Sequence, residues 1–267
     1  MPIFSTIDLG DYFFSLRAFL NYWLSKEDRY SQQSRFVFQV YSNLISFLKT
    51  HKKGDPEIEK FRQNLLKDQT RIRVLDLGAG SKKVPETIRT IAKITRYSTS
   101  GIKFAQLYQY FCGLTPAENV LEFGTCVGIS TRYLNKITNG KLYTFEGSEE
   151  IQKVAQRDPL PSRTEFILGP IGETLPELLE KIPSVDFALI DANHTYAGTI
   201  QTFYALLPKV HSGSIVAIGD IHWTPEMQKA WGEVKAHPKV KLTLDFFECG
   251  ILFFDFPGGK SELILDI

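Results

Sequence analysis

The chain has 267 residues and a net charge of +1, so no strong basic field argues for nucleic acid or an anionic membrane surface. Hydrophobic residues make up 43% and charged residues 23%, ordinary values for a globular chain long enough to bury a real core. Cys112, Cys126 and Cys249 lie far apart, which excludes a zinc or disulfide spacing and suits a reducing compartment. The N-terminus MPIFSTIDLGDYFF lacks a basic region followed by an apolar run, and no apolar stretch approaches the ~20 residues of a membrane span. A cytoplasmic protein without a membrane anchor is expected.

Residues 1–70 carry helical patterning. In SRFVFQVYSNLISFLKTHKK, Phe36, Val40, Leu44 and Phe47 or Leu48 recur at three- and four-residue spacing, the stripe of an amphipathic helix packed on a core. Gly54 and Pro56 break the pattern, and a second helix is expected to about Lys67. Residues 84–112 read as helical with an interruption near RYSTSG. From Asn119 short apolar runs alternate with helical segments: VLEF, KLYTFE, TEFIL, VDFALI and SIVAIG. Their separations suit crossover helices, so a parallel sheet with helices on both faces is expected. VKLTLDFF and GILFFDF follow with a link too short for a parallel crossover, so they must form an antiparallel hairpin. The fold class is therefore α/β: a Rossmann-like sheet of seven strands, mostly parallel with an antiparallel C-terminal hairpin, plus an N-terminal helical extension. The expected division is 1–112 for the extension, acting as a lid, and 113–267 for the cofactor-binding domain.

Two glycine turns compete for a nucleotide cofactor: RVLDLGAGSKK, and NVLEFGTCVGISTRYL from Asn119. Such a site needs a glycine that lets backbone approach the ligand, a following helix start, and a carboxylate ending the next strand roughly 20 residues on. After Gly78 and Gly80 the corresponding stretch is RYSTS, with neither strand nor acid. After Gly124 and Gly128, KLYTFE ends on Glu146, 22 residues beyond Gly124. The second turn is expected to bind. The GAGS segment then reads as a loop between extension helices or over the active site. Cys126 stands where a nicotinamide fingerprint has its middle glycine.

At these residues, over about 119–256, the chain resembles the class I S-adenosylmethionine-dependent methyltransferases, in particular the branch similar to catechol O-methyltransferase. The whole chain, with its GAGS segment and GDIHW, is similar to a poorly characterised bacterial group of that branch. The resemblance implies a cofactor site of Glu122, Gly124, Thr125, Gly128, Ser130, Thr131, Glu146, Gly147, Gly169 and Asp191. Glu122 would sit near the methionine amino group, the N–H groups of Ile129, Ser130 and Thr131 would take its carboxylate, and Glu146 would bind both ribose hydroxyls. LGPIGETLPEL would border adenine from Gly169, with Pro170 and Ile171 offering packing in place of a polar side chain.

In LIDANHTY, Asp191 occupies the position of the branch's magnesium ligand and His194 that of its catalytic lysine. Histidine is a fitting general base near neutral pH. In VAIGDIHW the branch has Asp-Asn, whereas this chain has Gly219-Asp220, so the first ligand is missing. Mg²⁺ held by Asp191 and Asp220, with Asn193, remains an alternative, and His222 could serve only a softer metal. Trp223 precedes Thr224 and Pro225, a plausible N-cap and first helical position, so it lies at a helix entrance near the pocket. Met227, Trp231 and Cys249 read as core.

The expected activity is methyl transfer from S-adenosylmethionine to a small-molecule acceptor, with an oxygen nucleophile, His194 as base and Asp191 beside it. The alternatives are a nicotinamide-dependent oxidoreductase and a cofactor-binding protein without turnover. No nucleic-acid or membrane partner is expected, and a homodimer is compatible with the sequence.

Overall fold

Strand Val185–Ile190 is the centre from which the molecule is built. Its side chains alternate between two apolar cores. Phe187 and Leu189 face one with Val120 and Ala217; Ala188 and Ile190 face the other with Leu121 and Phe123. A strand buried on both faces needs an unbroken apolar run, and VDFALI supplies it apart from Asp186. That carboxylate is satisfied at Oδ2 by the Glu118 and Asn119 N–H groups, each at 2.8 Å, and at Oδ1 by His211 Nε2.

The computed structural model describes residues 9–75 and 87–267. In chain order the described strands are β1 (Arg71–Arg73), β2 (Ile88–Thr90), β3 (Asn119–Phe123), β4 (Lys141–Glu146), β5 (Thr164–Leu168), β6 (Val185–Ile190), β7 (Val210–Gly219), β8 (Leu242–Asp245), β9 (Cys249–Phe253) and β10 (Ser261–Ile264). The helices are α1 (Leu9–Ser25), α2 (Arg35–Thr50), α3 (Pro56–Lys67), α4 (Ile91–Tyr97), α5 (Ile102–Cys112), α6 (Ile129–Asn135), α7 (Glu149–Ala155), α8 (Ile171–Lys181), α9 (Tyr196–Leu206) and α10 (Pro225–Ala236). The main sheet runs β10-β8-β9-β7-β6-β3-β4-β5. β3 to β7 are mutually parallel, and β9 runs antiparallel to both β7 and β8.

The sheet therefore has eight strands where the sequence reading expected seven. The addition, β10, pairs in parallel with β8 at the edge. Its segment SELI is only partly buried, so it carries no continuous apolar run to announce it. A second correction lies in the N-terminal part. Residues 88–90, read as helical, pair antiparallel with 71–73 as a two-stranded ribbon. The remainder of the GAGS segment, with Gly78 and Gly80, lies outside the described residues.

The helices are specified locally. Ser34 caps α2 by accepting from the Val37 N–H, and Asp55 caps α3 with Pro56 at its first turn. On α2, Leu44 is fully buried and Phe36, Val40 and Leu48 pack around it, as the stripe implied. α5 inserts Leu107 and Phe111 into the same core. On the opposite face, Leu175 and Leu178 of α8, Phe203 and Leu206 of α9, and Met227, Trp231 and Val234 of α10 cover the sheet. A third cluster joins Ile58 and Leu65 of α3, Ile91 and Ile94 of α4, and Val127 and Ile129 at the start of α6. The β1–β2 ribbon is fastened beside it, the Arg73 N–H donating to Glu150 Oε2 at 2.6 Å. Among the described residues, no helix is long and apolar enough to cross a membrane.

Candidate active site

Successive crossovers carry the chain from β3 to β4 and β5 on one side, and through β6 to β7 on the other. The strand order reverses between β3 and β6, and in open α/β sheets that switch point opens the ligand crevice at the carboxyl ends. A cavity of about 970 Å³ lies there. It is lined by the turn after β3 (Gly124, Thr125, Cys126, Ile129, Ser130), the end of β4 (Glu146, Gly147), the turn after β5 (Gly169, Pro170, Ile171), and the residues after β6 and β7.

The turn after β3 has the conformation that backbone approach requires. Gly124 has φ +105°, and a Cβ there would stand 2.3 Å from the Asp191 carbonyl oxygen. Gly128 is left-handed at the N-cap of α6. Cys126, at φ 48°, turns its N–H onto Glu146 Oε2 at 2.9 Å, while the Ser148 N–H holds Oε1 at 2.9 Å. The Glu146 carboxylate is thus fixed by two backbone donors at the cavity wall. Cys126 also lines the cavity, and burial pushes its thiol far up, so it stays protonated.

Ten residues were expected to hold the cofactor. Gly124, Thr125, Ser130, Glu146, Gly147, Gly169 and Asp191 line the cavity; Glu122, Gly128 and Thr131 do not. Glu122 lies behind the turn, fully buried. Its Oε2 accepts from Thr131 Oγ1 at 2.5 Å and Thr144 Oγ1 at 2.6 Å, and Oε1 has no hydrogen-bond partner. Burial pushes its pKa up to about 7, against the pull of the neighbouring Ser130, Thr131 and Thr144 hydroxyls.

At the other end of the cavity Asp191, Asn193, His194, Asp220, Trp223 and Glu248 converge. Asn193 has φ 64°, His194 44° and Asp220 55°, left-handed conformations that non-glycine residues adopt at some cost. The Ser100 hydroxyl donates to Asp191 Oδ2 at 3.4 Å. His194 Nδ1 lies 3.5 Å from Asp220 Oδ2, and the His194 ring meets Trp223 edge-on with centroids 5.5 Å apart. Burial raises the pKa of Asp191, opposed by His194 and Ser100; it raises Asp220 to about 6, with His194 opposing and Asp191 reinforcing. Two carboxylates and an imidazole so placed are arranged to move a proton.

The same three residues each offer one donor atom, all within 4.8 Å of one another. As a magnesium site the set is poor: the ion prefers oxygen ligands, one of the three donors is nitrogen, and Gly219 contributes none. His222 is not part of it. Its Nε2 lies 2.8 Å from Asp245 Oδ2, and its ring stacks on Phe247. Trp223 does stand at a helix entrance, with Thr224 capping α10 through the Met227 N–H and Pro225 in its first turn. Met227, Trp231 and Cys249 are buried as expected.

Sequence reasoning missed the cavity's outer wall. Val74 and Leu75 after β1, Arg89 of β2 and the stretch Arg96–Gly101 all line it. RYSTSG was legible as a break between helices, but nothing in its composition placed Ser100 beside Asp191.

Residues 121–221 match a family model described as a methyltransferase domain. No curated protein matches the chain in sequence. Among solved structures, an O-methyltransferase from Bacillus cereus in complex with SAH is 16% identical with a TM-score of 0.55, the alignment covering 78% of this chain and 98% of that one. A Staphylococcus aureus protein provisionally assigned as a caffeoyl-CoA O-methyltransferase is 14% identical with a TM-score of 0.57, covering 79% and 98%. The SAH-bound methyltransferase PaMTH1 of Podospora anserina is 15% identical with a TM-score of 0.50, covering 59% and 80%. At these identities the likeness is one of fold, and it extends beyond the segment that the family model matches. The methyltransferase fold expected from the sequence is the fold of this chain.

Proposed function

We propose, from the match of residues 121–221 to a methyltransferase domain model, that this protein transfers the methyl group of S-adenosylmethionine to an oxygen of a small-molecule acceptor. The observation that carries the reading is a single cavity of about 970 Å³ in which the Glu146 turn and the Asp191–His194–Asp220 cluster face common space. That volume suits a nucleoside cofactor together with an acceptor.

When bound, S-adenosylmethionine supplies an electrophilic methyl on a cationic sulfur. The chain's task is then mainly alignment and removal of one proton. Gly124 would admit the methionyl part at the turn after β3, while Gly128 packs against Ala155 behind that turn. Glu146 would accept from the ribose hydroxyls on oxygens oriented by the Cys126 and Ser148 N–H groups. Gly169, Pro170 and Ile171, which line the cavity after β5, would border adenine. Asp191 stands between the two halves of the cavity. His194 would take the acceptor's hydroxyl proton, and Asp220, beside Nδ1, would stabilise the resulting imidazolium. Trp223 keeps the imidazole in place and offers a ring edge to a planar acceptor.

Within the 1–112 extension, Val74, Leu75 and the stretch Arg96–Gly101 cover the cavity and select the acceptor over the 113–267 domain. A homodimer agrees with α1, which exposes Phe13, Leu16, Leu20, Trp23 and Leu24 opposite its buried Ala18 and Tyr22. The test of the activity is transfer of labelled methyl from S-adenosylmethionine to a panel of hydroxylated aromatic compounds. Label in an ether product supports the reading, and cofactor binding with transfer only to amines would move the acceptor class to nitrogen.

A further inference from the structure

Two of the contacts on the His194 ring come from one short loop. Asp220 places Oδ2 3.5 Å from His194 Nδ1, and the Trp223 ring meets the imidazole edge-on. Both residues line the cavity, and both lie between the end of β7 and the start of α10. The loop leaves the sheet sharply. Asp220 is left-handed at φ 55°, and its N–H donates to the Glu248 carbonyl at 2.6 Å. The Trp223 N–H closes back on the Asp220 carbonyl at 3.0 Å. A non-glycine residue in that conformation persists only where its neighbours over-determine it.

The neighbours that do so include residues outside the lining of the catalytic cavity. Ile221 is fully buried, and the His222 ring is held by β8 and by the turn between β8 and β9. His222 Nε2 donates to Asp245 Oδ2 at 2.8 Å; Nδ1 has no hydrogen-bond partner among the described residues, so this is the ring's one polar tie. Asp245 is buried. Its Oδ2 also accepts from Trp231 Nε1 at 3.1 Å, and its Oδ1 accepts from the Phe247 N–H at 2.9 Å. One carboxylate thus ties the β7–α10 loop to α10 and to the β8–β9 turn. The His222 ring also stacks on Phe247, with centroids 5.5 Å apart and planes at 22°. Phe247 is itself left-handed at φ 68°, and Phe19 and Tyr22 of α1 close on its ring at 5.3 and 5.2 Å. His222, Asp245 and Phe247 all stand outside the cavity lining.

We infer that His222 and Asp245 are positioning residues: their buried bond fixes the β7–α10 loop so that Asp220 and Trp223 hold the His194 imidazole in place. The inference rests on the methyltransferase reading for the reaction that this placement serves. A hydrogen bond to a carboxylate is stronger than a neutral one, and a misplacement of about 1 Å transmitted from a distant residue can cost on the order of 10²-fold in rate. His222 acts through its neighbours, so its loss should slow transfer without loosening the cofactor.

The test compares two variants. His222→Phe keeps a ring on Phe247 and removes the bond, whereas His222→Gln places an amide donor at about the position of Nε2. His222→Phe should lower single-turnover methyl transfer about tenfold, with S-adenosylhomocysteine affinity within about twofold and the melting temperature within a few degrees of wild type. His222→Gln should recover transfer to within about threefold. In a His194→Asn background, His222→Phe should cost less than about twofold more, because its effect passes through the imidazole. An undiminished loss in that background, a matching loss of cofactor affinity, or no loss at all would overturn the assignment. If His222→Phe does not fold, His222→Asn, whose side chain is too short to reach Asp245, takes its place in each comparison. A second readout needs no turnover. The indole N–H resonance of Trp223, identified with Trp223→Phe, should shift in His222→Phe while that of Trp23 stays; an unmoved Trp223 signal would overturn the inference. If the wild type transfers methyl to no acceptor, the methyltransferase reading falls, and the Trp223 resonance still decides whether His222 places the loop.

Discussion

A Cβ on Gly219 would lie 2.0 Å from Asp191 Oδ1, so the carboxylate after β6 occupies the space that any side chain ending β7 would need. The glycine that looks from sequence like a lost metal ligand is the room into which Asp191 fits. Gly219→Ala should leave the fold intact, because the conflict falls mainly on a side-chain end. It should displace Asp191 and lower methyl transfer more than tenfold, with a melting temperature within a few degrees of wild type. Single-turnover rates beside a melting curve check it; unchanged transfer would show that Asp191 is not needed where it stands.

His194→Asn should reduce the rate of transfer by the 10²–10⁴-fold typical of a lost general base. S-adenosylhomocysteine affinity should stay within about threefold, since the imidazole faces Asp220 and Trp223. A large loss of cofactor affinity would mean that His194 serves binding instead.

Glu146→Ala should weaken S-adenosylhomocysteine more than tenfold. The substitution removes the acceptor of the Cys126 and Ser148 N–H groups as well as the proposed ribose contact. Glu146→Gln keeps an acceptor for one of them and should lose less. Calorimetry of the two variants gives the ranking.

Glu122 makes the stability of the ligand-free protein depend on pH. Its folded pKa is raised from 4.5 to about 7 by burial, so between those values the folded state holds a proton that the unfolded state has released. Stability must therefore fall as pH rises through this window, by up to about 3 kcal/mol for a shift of that size. Urea denaturation at a series of pH values should show the fall, and Glu122→Gln should flatten it. An unchanged slope in the variant would place the effect elsewhere.

Chelation provides a fifth comparison. The donor set at Asp191, His194 and Asp220 is poorly matched to magnesium, so EDTA should leave transfer within twofold and added Mg²⁺ should not raise it. A tenfold loss on chelation, restored by a divalent ion, would make the three residues a metal centre.

The sheet was legible because β4, β5 and β6 are apolar runs bounded by turns, and each begins and ends where its run does. The second glycine turn was legible because a glycine, a helix start and Glu146 recur at a spacing that ligand geometry demands. Three features were not. β10 is a half-solvated edge strand whose partner, β8, sits sixteen or more residues earlier, so neither periodicity nor local spacing marks it. The ribbon of β1 and β2 is only three residues a side, too short for a pattern, and its outer neighbours read as helix. Ser100 and Arg89 reach the cavity through tertiary packing, which residue types along the chain do not encode.

The most direct measurement is calorimetric titration of the wild-type protein with S-adenosylhomocysteine, with NAD⁺ as the comparison ligand. The account predicts a one-to-one complex with S-adenosylhomocysteine in the micromolar range or tighter and no measurable heat with NAD⁺. Binding of NAD⁺ alone, or of neither ligand, would contradict it.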